Sequence, residues 1–231
     1  MTPGPTTPGF RIVVLISGRG TNLAAIIDAV AAGTLPAELA AVVSNEPHAP
    51  GIELARHAGH EVTIVHHRDF PDREHFDAAL AEAIDRYNPD LVVLAGFMRI
   101  LTRGFVRRYR GRLVNIPPSL LPELPGLDTH ARAIAAGAGV HGATVHFVTE
   151  ELDGGPIIAQ AQVPVLAGDD PDTLAARVLE HEHVLLPRTL AWFAARRVSL
   201  DGDRVLIDGI PALSHSSGPL VESSSAQALP S

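Results

Sequence analysis

The sequence predicts an α/β domain: a Rossmann-like, largely parallel central sheet with helices on both faces and antiparallel additions in the C-terminal half. Three observations predict it. Short, nearly continuous apolar runs bounded by turn residues recur at 11–17, 39–44, 61–65, 90–95 and 112–115, the pattern of strands covered on both faces. Helical spacing alternates with these runs, since 21–32 puts Leu23, Ile26, Ile27 and Val30 on one face and 72–87 repeats Phe76, Ala79, Leu80 and Ile84. At 231 residues with 46% hydrophobic content, the chain can bury one sizeable core without splitting.

The rhythm changes after Pro125. A short helix is expected around 129–136, then strands of hairpin-like character at 142–149 and 156–165. A long helix over 172–197 carries Pro187, which removes one backbone donor and is expected to kink or locally break it. Residues 198–210 read as a small hairpin around Asp201-Gly202-Asp203. The Pro/Thr/Gly-rich segment 1–9 and the Ser-rich segment 214–231 lack apolar periodicity and are expected to be disordered, which leaves 10–213 as one catalytic domain.

A net charge of −8 and a pI near 5.8 argue against a nucleic-acid surface, because phosphate backbones attract positive stripes. With no cysteine there is no disulfide, thiolate nucleophile or Cys-based metal site, and the chemistry must rest on His, Asp, Asn and backbone groups. The N-terminus lacks the order of a signal peptide and no apolar run reaches the length of a membrane span. A cytoplasmic protein is expected, with no membrane partner; a homodimer is left open.

Ser17-Gly18-Arg19-Gly20-Thr21-Asn22 joins the first strand to the first helix, where glycines let backbone approach an anion and free helix amides point at it. The alternative is a plain βα turn. A dinucleotide fingerprint wants a third Gly where Leu23 stands, and Glu46 after the second strand keeps an oxidoreductase as a minority reading. Gly96-Phe97-Met98-Arg99-Ile100-Leu101 follows the fourth strand and could line a pocket for a flat ring, or merely complete the core.

Asn115 ends the fifth strand, where its amide could donate to a carbonyl oxygen or satisfy its own loop. An acyl-transfer site would hold an imidazole nearby, but the residue two positions on is Pro117, which has no proton to give. Asp153, before Gly154-Gly155-Pro156, is either a turn carboxylate or a proton manager. His146 alternates with Val145 and Phe147 and is expected on the opposite face; with His130 and His141 it lacks zinc-helix spacing, so no metal is expected. Glu182 and Arg73 are first solvent-facing helix charges, and second ligands for an ammonium and a carboxylate respectively.

Taken in order, Val13 to Leu23, Leu94 to Leu101, the Asn115 loop with Ser119-Leu120-Leu121-Pro122, His141 to Val148 and Leu152 to Pro156 resemble the phosphoribosylglycinamide formyltransferases, folate-dependent enzymes of purine biosynthesis. The likeness runs over about 11–193; the Ser-Leu-Leu-Pro loop and Asp-Gly-Gly turn are similar in methionyl-tRNA formyltransferases also. It implies 10-formyltetrahydrofolate as co-substrate, Gly20, Thr21 and Asn22 on the substrate phosphate, and Glu182 at the glycinamide end. Arg73 and Met98, Arg99, Ile100 and Leu101 would line the folate site, together with Asn115. Asn115 and a catalytic His would polarise the formyl carbonyl, and Asp153 would raise the pKa of that His.

The chain departs from this pattern at two places. Pro117 occupies the catalytic His position, and Asp128 stands where these enzymes commonly carry another His. Asp153 thereby loses its expected partner, which His146 or His130 would replace in part. Three activities follow: an impaired or rescued formyltransferase, a folate- and nucleotide-binding relative without catalysis, or a dinucleotide oxidoreductase.

Overall fold

The computed structural model describes residues 9–212; the tails expected at 1–9 and 214–231 lie outside the described residues, apart from Gly9, and so does residue 213 of the predicted domain. The first half alternates strands and helices. Strands β1 (Phe10–Ile16), β2 (Ala37–Ser44), β3 (Val62–Ile64), β4 (Leu91–Leu94) and β5 (Leu113–Asn115) sit within or across the five predicted runs. Helices α1 (Thr21–Ala31), α2 (Pro50–His57), α3 (Arg73–Asp85) and α4 (Arg103–Arg108) lie between them. The second half holds α5 (Thr129–Ala135), β6 (Val140–Phe147), β7 (Ile157–Pro164), α6 (Pro171–Ala194), β8 (Val198–Asp201), β9 (Arg204–Ile207) and β10 (Ile210–Pro211).

The main sheet runs β3-β2-β1-β4-β5-β6-β7, and its first five strands pair in parallel. β6 and β7 join antiparallel, while β8, β9 and β10 form a separate small sheet. The order of β1 and β4 makes the carboxyl ends of these two strands the switch point at which α/β sheets bind ligands.

β1 explains the unbroken apolar runs. Ile12, Val14 and Ile16 pack with Leu23 and Ile26 of α1 and Leu185 and Leu186 of α6, whereas Val13 and Leu15 pack with Phe76, Leu80 and Ile84 of α3. Both faces are therefore dry, and each of these fully buried side chains contributes roughly 1.5–3 kcal/mol of burial. Two helices escaped the sequence reading because they are short. Their start signals were nonetheless present: Pro50 at the first position of α2, and Thr102 capping α4 through the Phe105 amide.

The break expected at Pro187 does not occur, and α6 continues through Ala194. Pro187 is itself buried, and Leu185, Leu186 and Leu190 around it are fully buried, so packing offsets the missing donor. Thr189 Oγ1 also donates to the Leu185 carbonyl at 2.8 Å within this turn.

Gly142 is required by the β6–β7 pairing. A Cβ there would collide with the Ala161 carbonyl oxygen of the neighbouring strand, which is backbone and cannot yield. Gly142→Ala is expected to cost more than about 3 kcal/mol, measured as a fall in the denaturant midpoint of unfolding.

Candidate functional site

Three loops converge at the carboxyl ends of the central strands. The first joins β1 to α1, where Gly20 adopts φ 76° and no side chain caps the helix. The early amides of α1 are therefore free for an anion. Glycine has a packing reason here as well: a Cβ on Gly20 would lie 2.8 Å from the Gly51 Cα, and the Gly51 amide bonds the Gly18 carbonyl at 3.1 Å. The turn-geometry and phosphate readings of this loop are thus compatible. Leu23, where a dinucleotide fingerprint wants glycine, is fully buried core.

Asn22 is turned inward. Its Nδ2 donates to Glu182 Oε2 at 2.6 Å, joining the start of α1 to the middle of α6. Glu182 is 6% exposed, which corrects the solvent-facing reading of this helix position. Burial raises its pKa to about 7 against the opposing Asn22 hydrogen bond, so the carboxyl is poised between acid and carboxylate at neutral pH. Beside these two residues a cavity of about 650 Å³ is lined by Thr21, Asp28, His183 and Arg188.

The second loop, after β4, holds the 98–101 segment. Met98 is 71% and Ile100 64% exposed, so neither completes the core; Leu101 does pack against it. The Met98 amide donates to Ser17 Oγ at 2.7 Å, and Met98 and Arg99 border a cavity of about 460 Å³ with Ser17, Glu46 and His67. Arg99 lies over the Phe76 ring. Asp77, 3% exposed, accepts the Thr102 amide at 2.6 Å, which ties α3 to this segment; burial raises its pKa despite that bond. Arg73 is exposed one helical turn before Asp77 and lines neither this cavity nor the one beside Glu182.

The third group carries the reactive side chains. β5 and β6 pair antiparallel with Asn115 opposite His146, so their side chains share the face away from the core that holds Val145 and Phe147. His146 is 1% exposed, with Nδ1 2.9 Å from the Phe147 carbonyl oxygen. A carbonyl only accepts, so Nδ1 holds a proton and Nε2 is left as the exchangeable position. That Nε2 lies 3.7 Å from Asp153 Oδ1. Of the two histidines expected to stand in for the imidazole missing at Pro117, His146 is the one placed beside Asp153.

Asp153 adopts φ 53°, and its Oδ2 accepts the Gly126 amide at 2.9 Å. Burial would raise its pKa, but the adjacent His146 imidazole and the hydrogen bond from the Gly126 amide outweigh this and lower it. Gly155 brings the loop close, because a Cβ there would strike the Phe147 carbonyl oxygen. Glu150 ties the loop to α4 through Arg107 at 2.6 Å and Arg103 at 3.2 Å. A cavity of about 1200 Å³ lies between α4, this loop and the C-terminal hairpin, lined by Val106, Leu121, Val148, Asp153 and Val205 among others.

Pro117 is buried, and its carbonyl accepts the Thr144 amide at 3.2 Å. His130 and His141 stand apart from His146 as an edge-to-face pair, centroids 5.3 Å apart, and burial holds the His141 pKa down at about 4. Asp128 is exposed at φ 55° and makes no side-chain cap to α5.

The protein-family comparison matches the formyl transferase model over residues 10–190. The chain belongs to the formyl transferase family. It is 51% identical over 200 residues to the phosphoribosylglycinamide formyltransferase of Escherichia coli, covering 87% of this chain and 94% of that one. A trifunctional purine biosynthetic protein, adenosine-3, of Drosophila melanogaster is 48% identical over 183 residues, covering 78% of this chain and 14% of the relative. The solved phosphoribosylglycinamide formyltransferase of Coxiella burnetii superposes with a TM-score of 0.86 at 48% identity, covering 89% of this chain and 96% of that one. No helix among the described residues is long and apolar enough to cross a membrane.

The buried Glu182 generates a stability prediction. Its folded pKa of about 7 exceeds the ordinary carboxyl value of 4.5, so its contribution is full below that lower value and is lost as pH rises through about 7. Glu182→Gln keeps an acceptor for Asn22 and cannot ionise. Chemical unfolding should give the variant and the natural chain similar stability at pH 4.5, and the variant an advantage on the order of 3 kcal/mol at pH 8. Parallel stability curves would contradict the assignment.

Proposed function

We propose that this chain transfers a formyl group from 10-formyltetrahydrofolate to the amine of 5-phosphoribosylglycinamide, a step of purine biosynthesis between small molecules in the cytoplasm. One observation carries the reading: Asn115, His146 and Asp153 meet where β5 pairs with β6, with the His146 and Asp153 side chains 3.7 Å apart. The named activity of the 51%-identical relative supports the choice of substrates.

In this proposal the substrate phosphate rests on the free amides at Gly20, Thr21 and Asn22. Glu182 faces the glycinamide end, where an approaching ammonium favours its carboxylate form. The folate lies near the 98–101 segment, Arg73 and Asn115, with its formyl group directed at the Asp153 cavity. The amine nitrogen attacks the formyl carbon and a new C–N bond forms. The oxygen that gains charge takes a hydrogen bond from Asn115 Nδ2. The bond from the formyl carbon to N10 then breaks, and the proton released by the amine reaches N10 through water and the His146–Asp153 pair.

Pro117 favours a second reading, a relative that binds both ligands and does not turn them over, because the position two residues beyond Asn115 has no proton to exchange. Steady-state formyl transfer separates the two. The first reading expects measurable turnover in the natural chain, a fall of ~10²–10⁴ in kcat for His146→Gln and for Asp153→Asn, and a rise for Pro117→His. Calorimetric binding of both ligands without turnover would establish the second reading. Full turnover in both substituted chains would remove His146 and Asp153 from the mechanism.

A further inference from the structure

Glu46, His66 and His67 come together from two neighbouring strand ends. Glu46 follows β2, and His66 and His67 follow β3, which pairs beside it in parallel. One possible ligand atom from each residue lies within 4.8 Å of the other two, and His67 Nδ1 stands 3.5 Å from Glu46 Oε1. We propose that these three side chains form a binding site for a divalent transition-metal ion of the zinc class, separate from the Asn115, His146 and Asp153 cluster.

The donor set argues for the ion. Two imidazoles and one carboxylate suit zinc, cobalt or nickel, whereas magnesium and calcium ask for oxygen ligands throughout. With bonds of ~2.0–2.2 Å, the ligand atoms of a tetrahedral zinc ion stand about 3.3 Å apart, so modest side-chain rotations close the cluster. All three residues are half-buried, which leaves a route for the ion from solvent. Glu46 and His67 border the cavity of about 460 Å³, and the exposed His48 borders it too, offering a fourth ligand.

The surroundings hold the donors in place. His66 Nδ1 lies 3.2 Å from Asp69 Oδ1, the carboxylate-behind-imidazole arrangement that orients a metal-binding His. The His67 ring packs edge-on to Phe76. Glu46 is pinned at both ends of its backbone by Ser44 Oγ, which accepts its amide at 3.2 Å and donates to its carbonyl at 2.8 Å. Asn45, 1% exposed, flanks His67 Nδ1 with both its backbone carbonyl oxygen at 3.1 Å and its side-chain Nδ2 at 3.3 Å, and its Oδ1 accepts Ser17 Oγ–H at 2.5 Å. Since Ser17 Oγ in turn accepts the Met98 amide, an ion here braces the ends of β2 and β3 and is linked through Asn45 and Ser17 to the 98–101 segment. The role is structural, and it does not depend on the formyl-transfer reading.

The test is a titration of the tag-free, chelator-treated full chain with Zn²⁺ by calorimetry, repeated with Co²⁺ to follow its visible absorption. The natural chain should bind one ion, with the intense Co²⁺ bands of a low-coordinate site, and its melting temperature should rise with added Zn²⁺. The double variant His66→Ala/His67→Ala should lose affinity by more than the ~100-fold that removal of an outer partner costs. Glu46→Gln, which keeps the shape of the side chain, should weaken binding while leaving the metal-free melting temperature unchanged. Absence of binding by the natural chain, or undiminished binding by the folded variants, would overturn the proposal.

Discussion

The pairing of β5 with β6 spans only two residue pairs, Val114 with Phe147 and Asn115 with His146. Side chains alternate along a strand, so a slip of one residue would carry His146 into the core and turn Phe147 toward Asn115. The register is held by what lies behind it: Val114, Val145 and Phe147 are fully buried with α6, and Phe147 meets Phe193 edge-on at 5.7 Å. A hydrophobic core on one face thereby fixes a polar constellation on the other. The antiparallel turn of the sheet at β6 is also what sends the chain back through Asp153, so both partners of the imidazole follow from one short ladder.

A second constraint runs through the interior from α1 to α6. Glu182 and Asn22 are 160 residues apart in sequence and bonded at 2.6 Å. A carboxyl placed this deep is costly when ionised, and the cost is tolerable because a proton is available near neutral pH or a cationic group can draw close. The same bond takes the Asn22 side chain away from the anion loop, so that any phosphate there would meet the backbone amides of the turn. Helix start, buried acid and loop conformation therefore form one unit.

The fold was legible because its cause is local. Continuous apolar runs such as Val13 to Ile16 mean burial on both faces, and only a covered parallel sheet supplies that. Helices α2 and α4 were lost because eight and six residues give too little periodicity, though Pro50 and Thr102 marked their starts. At the site, alternation placed His146 opposite Val145 and Phe147 correctly. It could not choose between His146 and His130 as the stand-in partner of Asp153, since that contact depends on a loop returning seven residues later. Glu182 was misjudged for a similar reason: helical spacing identifies an apolar face, but not a polar residue buried by a hydrogen bond from a distant element. The Glu46, His66 and His67 group was invisible to spacing rules because its members lie beyond the ends of two neighbouring strands and on no common helix.

Pro117 accepts the Thr144 amide with its carbonyl and has no N–H to return to that strand. The position is thus held by a bond that any residue of similar backbone conformation can make. In the genetic code, a proline codon ending in a pyrimidine becomes a histidine codon by one base change. The two forms of this loop are mutational neighbours, and a lineage can cross between them without first dismantling the scaffold around Asn115.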